Sequence, residues 1–436
     1  MTEIIPLLIC LNVHLTTTTC RQLRHVVFAL LCSPDRVTML GLSRWAERGG
    51  SYRTLQRFYQ TPIDWARLHW VFIKTHLIQP GGTYILAGDE VVVSKAGKQT
   101  HGVGRFYSGL AQRVIPSVSF LVVSLIDVER RCSYPLQVEQ LLPSSPAQKP
   151  AKSTEKRPPG RPKGSKNHVK ADPTLTPELK VLQRLLTATR GQITKLQVRH
   201  IVLDGKFGHY PATWTVRQTG LHLISKLRHD AALYRPYSGA KPQRGPTSRY
   251  GTKLDYTQLP ADCLIDTRIQ GAYRVETYHI HAYHKDHADL LNIAVVVKTH
   301  LKTGKRGHVV LFSTDLDLTA LQIVDYYSLR FQIEFNFRDA KQYWGLEDFM
   351  NTSQQAVTNA VNLAFLMVNL SALMLRSCSQ DGSVLDLKAR FRAQRYLSET
   401  IKMLPHPPDA HLVLRIWQRL TRFSAIRTPQ SHRPAA

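Results

Sequence analysis

Two short apolar runs, each carried into an aspartate, constrain this chain more than any other feature. In TYILAGDEVVVS an apolar strand pattern reaches Asp89, and in HIVLDGKFG the run Ile201-Val202-Leu203 ends on Asp204 and a glycine. Both read as buried strands. A carboxylate at the end of a buried strand is costly unless it is paired or holds a metal. One such aspartate is an ordinary turn cap. Two of them ask what positive charge they share.

A third carboxylate lies on a helix. The stretch YYSLRFQIEFNFRDAKQYWG predicts one helix, opened by the capping-box spacing of Thr319 and Gln322 and stopped at Gly345. At about 100° per residue, Tyr327, Arg330, Glu334 and Lys341 fall within roughly 60° of one another. Beside them runs an apolar stripe, Tyr326, Leu329, Ile333, Phe337, Ala340 and Trp344, spaced to pack on a core. A solvated i,i+4 pair of Arg330 and Glu334 accounts for the polar face by itself. Taken with Asp89 and Asp204, Glu334 also completes the oxygen set of a two-cation site. Such a site holds Mg²⁺ or Mn²⁺ ions about 3.5–4 Å apart around a phosphorus.

The order Asp89, Asp204, then Tyr327-x2-Arg330-x3-Glu334-x6-Lys341 resembles the Y-R-E-K signature of bacterial insertion-sequence transposases of the DDE, ribonuclease-H-like superfamily. The resemblance covers roughly residues 80 to 378. It implies an α/β chain whose ribonuclease-H-like catalytic core is interrupted by a β-rich insertion. It also implies cleavage of DNA at element ends and strand transfer into target DNA, by the cut-and-paste route with a hairpin intermediate. Asp89 and Asp204 would hold both of two Mg²⁺ (or Mn²⁺) ions and Glu334 one of them. Tyr327, Arg330 and Lys341 would grip the phosphate next to the cleaved bond. The implied partners are the terminal inverted repeats, target DNA and a second protomer in the synaptic complex. The implied location is the cytoplasm, at the nucleoid. Two other functions fit the same residues: a nuclease of this fold without strand transfer, and a DNA-binding regulator descended from a transposase. A regulator is expected to have lost a metal carboxylate, and all three are present.

Composition points the same way. Lys and Arg total 58 against 31 Asp and Glu, a formal charge of +27, which favours a polyanionic partner. The six cysteines have neither CxxC nor zinc spacing and read as reduced cytosolic thiols. The apolar start MTEIIPLLICLNV lacks a basic n-region, so no signal peptide is expected. The run AVNLAFLMVNLSALML is short for a membrane span and holds Asn362 and Asn369, which suits a buried helix.

Along the chain, residues 1–80 read as a helical DNA-binding domain. Ser33-Pro34 starts a helix that runs to Gly49-Gly50. A short cationic helix follows, with Arg53, Gln56 and Arg57 at i, i+3, i+4, and Pro62 marks the next start. This is compatible with a helix-turn-helix, and equally with a plain bundle whose arginines are solvated. Residues 81–228 form the first part of the core, with three strands over 83–140 and a glycine-rich basic loop after Asp89 that carries Lys95, Lys98, His101, Arg105 and Arg113. That loop suits a phosphate backbone. Within this part, 143–175 is a basic flexible linker. Its KRPPGRPKGSKN resembles an AT-hook, making Arg157, Arg161 and Lys163 candidates for DNA contact. The β-rich insertion spans 229–310. In relatives it contacts DNA ends and can hold a flipped base on an aromatic ring. No Trp lies here, and Tyr234, Tyr237, Tyr250, Tyr256 and Tyr273 are unranked substitutes. His279, His281, His284 and His287 read as alternating side chains on an exposed strand rather than a zinc site. Residues 311–378 return to the core. Residues 379–436 form a helical region with a basic tail, a part that in relatives helps pair protomers.

Overall fold

The computed structural model describes residues 4–34, 36–109, 111–143, 172–240, 245, 247–377, 382–406 and 408–424. The AT-hook-like Arg157, Arg161 and Lys163, and Cys378, lie outside these. The chain opens with five helices: α1 (Ile5–Leu8), α2 (Thr17–Cys32), α3 (Met39–Trp45), α4 (Tyr52–Gln60) and α5 (Trp65–His76). Side-chain oxygens of Thr16, Thr38, Ser51 and Asp64 cap α2 to α5 by accepting an exposed backbone N–H of the first turn. The helix expected from Ser33-Pro34 therefore starts later, at the Thr38 cap, and the one expected at Pro62 starts at Asp64. In α4, Leu55, Phe58 and Tyr59 are buried while Arg53, Gln56 and Arg57 face solvent.

Next come β1 (Tyr84–Ser94), β2 (Gly104–Ser108), β3 (Arg113–Asp127), β4 (Cys132–Leu141), α6 (Pro177–Gln192), β5 (His200–Leu203), α7 (Tyr210–Gln218) and β6 (His222–Lys226). Strand β3 is antiparallel to β1 and to β4, while β1, β5 and β6 are mutually parallel neighbours. The resulting order β4-β3-β1-β5-β6, with α6 and α7 as crossovers, is a mixed sheet that fits a ribonuclease-H-like core. Two expectations change here. Strand β1 does not stop at Asp89, because Val91, Val92 and Val93 extend its ladder against Phe120, Ser119 and Val118. Asp89 is thus a mid-strand residue. The glycine-rich loop is also shorter than expected, since Arg105 lies on β2 and Arg113 on β3.

The insertion contains β7 (Leu233–Pro236), β8 (Tyr250–Lys253), β9 (Leu264–Gln270), β10 (Tyr273–His284), β11 (Leu291–His300) and β12 (Arg306–Ser313). These strands lengthen the core sheet. Residues Leu311 to Ser313 of β12 pair antiparallel with Lys226 to Ile224 of β6, and β11, β10, β7 and β8 follow outward. The expected boundary at 310/311 therefore falls inside one strand. His279, His281, His284 and His287 do not share an exposed face as expected. His287 is buried, and His279 shares a 2.7 Å hydrogen bond with the amide of buried Asn292.

After the sheet come α8 (Ala320–Leu329), α9 (Gln332–Tyr343), α10 (Gln354–Ser377), α11 (Val384–Lys402) and α12 (Ala410–Ser424). The single helix expected over 319–345 is two. Its capping box at Thr319 and Gln322 forms, and Gly345 at φ +79° ends it. Between them the hydrogen bonds tighten to three-residue turns: Arg330 N to Tyr327 O, Ile333 N to Arg330 O and Glu334 N to Phe331 O, at 3.0–3.2 Å. Helix α10 is apolar and long enough to cross a membrane by length and composition, and its most apolar window is 83% buried inside the protein. Its asparagines are bonded within the core. Asn359 donates to the Tyr59 and Thr61 carbonyls and accepts from the Trp65 indole, and Asn369 donates to Pro135 O. The N-terminal helices, β1, β3, β4, α10 and α11 share one continuous apolar core.

Candidate active site

Alternation along β1 decides which way its carboxylate points. Ile85 and Ala87 face the apolar cluster built on Ile323, Leu329 and Ile333, so Asp89 faces α8 and α9. Glu90 faces the opposite side, where it accepts from the Ser119 hydroxyl at 2.6 Å and from Lys206 at 2.9 Å. On the adjacent parallel strand, Leu203 pairs with Gly88, which puts Asp204 beside Asp89. A Cβ on Gly88 would come within 2.7 Å of the Leu203 side chain, so a glycine there lets the two aspartate-bearing strands close. Asp204 ends β5, and its carbonyl accepts from Phe207 N and the Ser225 hydroxyl.

The break between α8 and α9 places the third group. The Arg330 guanidinium donates to Asp89 Oδ2 at 2.5 Å and to Glu334 Oε1 at 3.3 Å. It also feels the charge of Asp204 and lies beside the Tyr327 phenol. Burial alone would lower the Arg330 pKa, but these four groups outweigh it and raise it. Burial pushes Asp89 up to about 6, with Asp204 and Glu334 adding to the rise and Arg330 opposing it. Burial likewise raises the Tyr327 phenol. The side chains remain reachable, with Asp89 21% and Arg330 17% exposed.

Asp89, Asp204, Glu334, Tyr327 and Arg330 are thus brought together. Lys341 is not with them. Two turns further along α9, it donates to Val92 O at 3.0 Å and pairs with Glu347 at 3.2 Å. Seven residues along the same helix, it keeps the face of Glu334 that the sequence predicts but stands about 10 Å further along the axis. The three carboxylates also do not converge on one another as expected; they surround Arg330. Among the described residues no set of three His, Cys, Asp or Glu side chains is close enough to hold an ion. The chemistry still suits one. Three carboxylates and one guanidinium leave a formal excess of two negative charges, and carboxylate oxygens are the ligands hard divalent cations prefer. Holding an ion between Asp89 and Glu334 requires the Arg330 side chain to swing aside.

Sequence reasoning missed the Glu90–Lys206–Glu178 network on the far side of β1, in which Lys206 lies 2.7 Å from Glu178. Its signal was present, because Glu90 and Lys206 each sit within two residues of an aspartate already singled out. The tyrosines of the insertion separate too. Tyr256 stacks on His308 at 4.6 Å, Tyr234 and Tyr250 meet edge to face at 5.4 Å, and Tyr237 and Tyr273 are exposed.

The DDE superfamily endonuclease family matches residues 10–285, more than half of the chain. The chain belongs to this family. The matched stretch includes Asp89 and Asp204 and ends before Glu334. No curated protein matches the chain. Membership brings transposase-like DNA cleavage as the activity and DNA as the substrate. The α/β sheet with Asp89 and Asp204 on adjacent strands is consistent with a DDE endonuclease.

Proposed function

We propose that this DDE endonuclease is an insertion-sequence transposase of the Y-R-E-K type, which cuts DNA at the element's ends and joins the freed 3′-hydroxyl to target DNA. The observation that carries the reading is the bridge from Arg330 to Asp89 and Glu334, with Asp204 on the neighbouring strand. Asp89 and Asp204 would hold two divalent cations, with Glu334 on one of them. Bound there, Mg²⁺ or Mn²⁺ would activate the attacking oxygen and stabilise the leaving one. Arg330, displaced from the carboxylates, has a phosphate oxygen as its natural new partner, and a guanidinium matches that geometry in two parallel bonds. Tyr327, beside it, would donate a hydrogen bond to the same phosphate. Water attack exposes a 3′-hydroxyl. That hydroxyl then attacks the opposite strand, giving a hairpin, or attacks target DNA. No residue of the chain becomes covalently bound, so each step exchanges one phosphodiester bond for another or for water. On α4, Arg53, Gln56 and Arg57 would read the terminal repeat, and two ends call for two protomers.

The test uses purified protein, Mg²⁺ and duplex DNA carrying the inverted repeats that flank the coding region. Asp89→Asn and Glu334→Gln should each abolish cleavage while leaving binding of the duplex nearly unchanged. Normal cleavage by either variant would overturn the assignment. A joined product separates a transposase from a nuclease that only hydrolyses.

A further inference from the structure

Helix α9 and strand β1 run side by side from the carboxylates, and the positive charge does not stop at Arg330. Lys341 bonds Val92 O three residues beyond Asp89 on β1. Its partner Glu347 begins the connection to α10, whose carbonyls at Glu347 and Phe349 accept from the Lys95 ammonium at 3.1 and 2.9 Å. Lys95 is buried, and its ammonium lies 3.4 Å from the centroid of the Phe349 ring. It therefore fastens the end of β1 to this connection rather than meeting solvent. Beyond it opens a cavity of about 480 Å³, lined among others by Arg36, Ser94, Lys98, Gln99 and Thr352. His101 pins the far end of the loop, its N donating to Thr352 O at 2.9 Å. Lys98 is exposed and makes no ion pair among the described residues. Gly97 beside it has open space where a Cβ would stand. Arg36 is largely exposed and touches Asp348 at 3.3 Å.

We infer that this trough is a phosphate track for one DNA arm: Lys341, Lys98 and Arg36 hold the backbone leading away from the bond cut at Asp89. The inference rests on the DNA-cleaving reading above and adds residues and a length to it. Lys95 lies six residues on from Asp89, just past the end of β1, a reach of about 20 Å. At about 3.4 Å per nucleotide along a strand, that places the start of the loop carrying Lys98 about six nucleotides from the cut. An exposed ammonium on an open loop suits a phosphate, which needs charge and close backbone approach but carries no sequence. The buried Lys95 supplies the floor that keeps the loop in place.

The test measures binding by the cleavage-silent Asp89→Asn protein, with and without Lys98→Glu, by fluorescence anisotropy. The probes are flanking-repeat duplexes with 3 or 10 base pairs on each side of the cut bond, varied one side at a time. Lys98→Glu should weaken binding about tenfold when one particular arm is long, and leave binding unchanged when that arm is short. Lys98→Ala should lower the slope of log affinity against log salt by about one on the long arm. Equal affinity of both proteins for every duplex, or an equal loss on short and long arms, would overturn the track. Thermal melting of the Lys98 variants, expected to match the parent, excludes misfolding as the cause. Failure of the transposase reading is separate: it shows as intact duplex after incubation of the parent protein with Mg²⁺.

Discussion

At Asp89, burial and charge act against each other. The carboxylate is held among apolar strand neighbours and two other carboxylates, and Arg330, with the Glu90 backbone N–H, compensates. Removing the guanidinium should have opposite effects on two measurements. Arg330→Ala frees the carboxylates for cations, so Mn²⁺ binding without DNA, followed by electron paramagnetic resonance at pH 8, should tighten by about tenfold, near 1.4 kcal/mol. Cleavage should nonetheless fall, by about 100-fold, because the charge that would face the phosphate is gone. A variant that lost both metal binding and cleavage would instead mark Arg330 as a structural strut. These residue types were legible from the sequence, because few roles bring two aspartates out of apolar strands. The position of Lys341 was not. It follows from the two helical turns between it and Glu334, and from the Val92 carbonyl and Glu347 carboxylate that hold it there.

At the level of elements, period and capping carried most of the reading. The start at Thr319 and the stop at Gly345 are local matters of caps and spacing. What was missed depended on partners. Val91 to Val93 looked like the beginning of a loop region because glycines follow closely, yet β3 offers them a full ladder. Strands β7, β8 and β9 are hard to read locally because they are short or largely exposed, and β8 and β9 each have a single strand neighbour. The asparagines of α10 were recognised as arguing against a membrane, but their task is to tie elements together. Asn359 is fully buried and satisfies the carbonyls that end α4 together with the Trp65 indole. Asn359→Leu would leave those groups unpaired. It should cost about 3 kcal/mol in urea unfolding, from several buried groups at about 1–3 kcal/mol each. A loss under about 0.5 kcal/mol would mean that water replaces the amide.

Across the whole molecule, the N-terminal helices are part of the same apolar core as the sheet, α10 and α11. Lys388 of α11 is one of the joints. Its ammonium donates to Leu30 O of α2 and to Tyr343 O of α9, at 3.1 and 3.0 Å. Burial pushes its pKa down to about 8. The unfolded chain then binds more protons than the folded one between about pH 8 and 10.5, so this group's contribution to stability rises with pH across that window. The Tm of the parent relative to Lys388→Met should therefore increase from pH 7 to pH 10, by the equivalent of up to about 3 kcal/mol. A constant difference would show that Lys388 is solvated. The sequence by itself determined the chemistry: three carboxylates in order, a cation-rich chain for a polyanion, and strands and helices whose periods are written locally. Only the tertiary structure decided that the insertion lengthens the core sheet, that Arg330 sits among the carboxylates, and that Lys341 stands apart. Local elements follow from spacing along the chain, whereas distances between remote groups follow from which surfaces pack, and packing is a property of the whole chain.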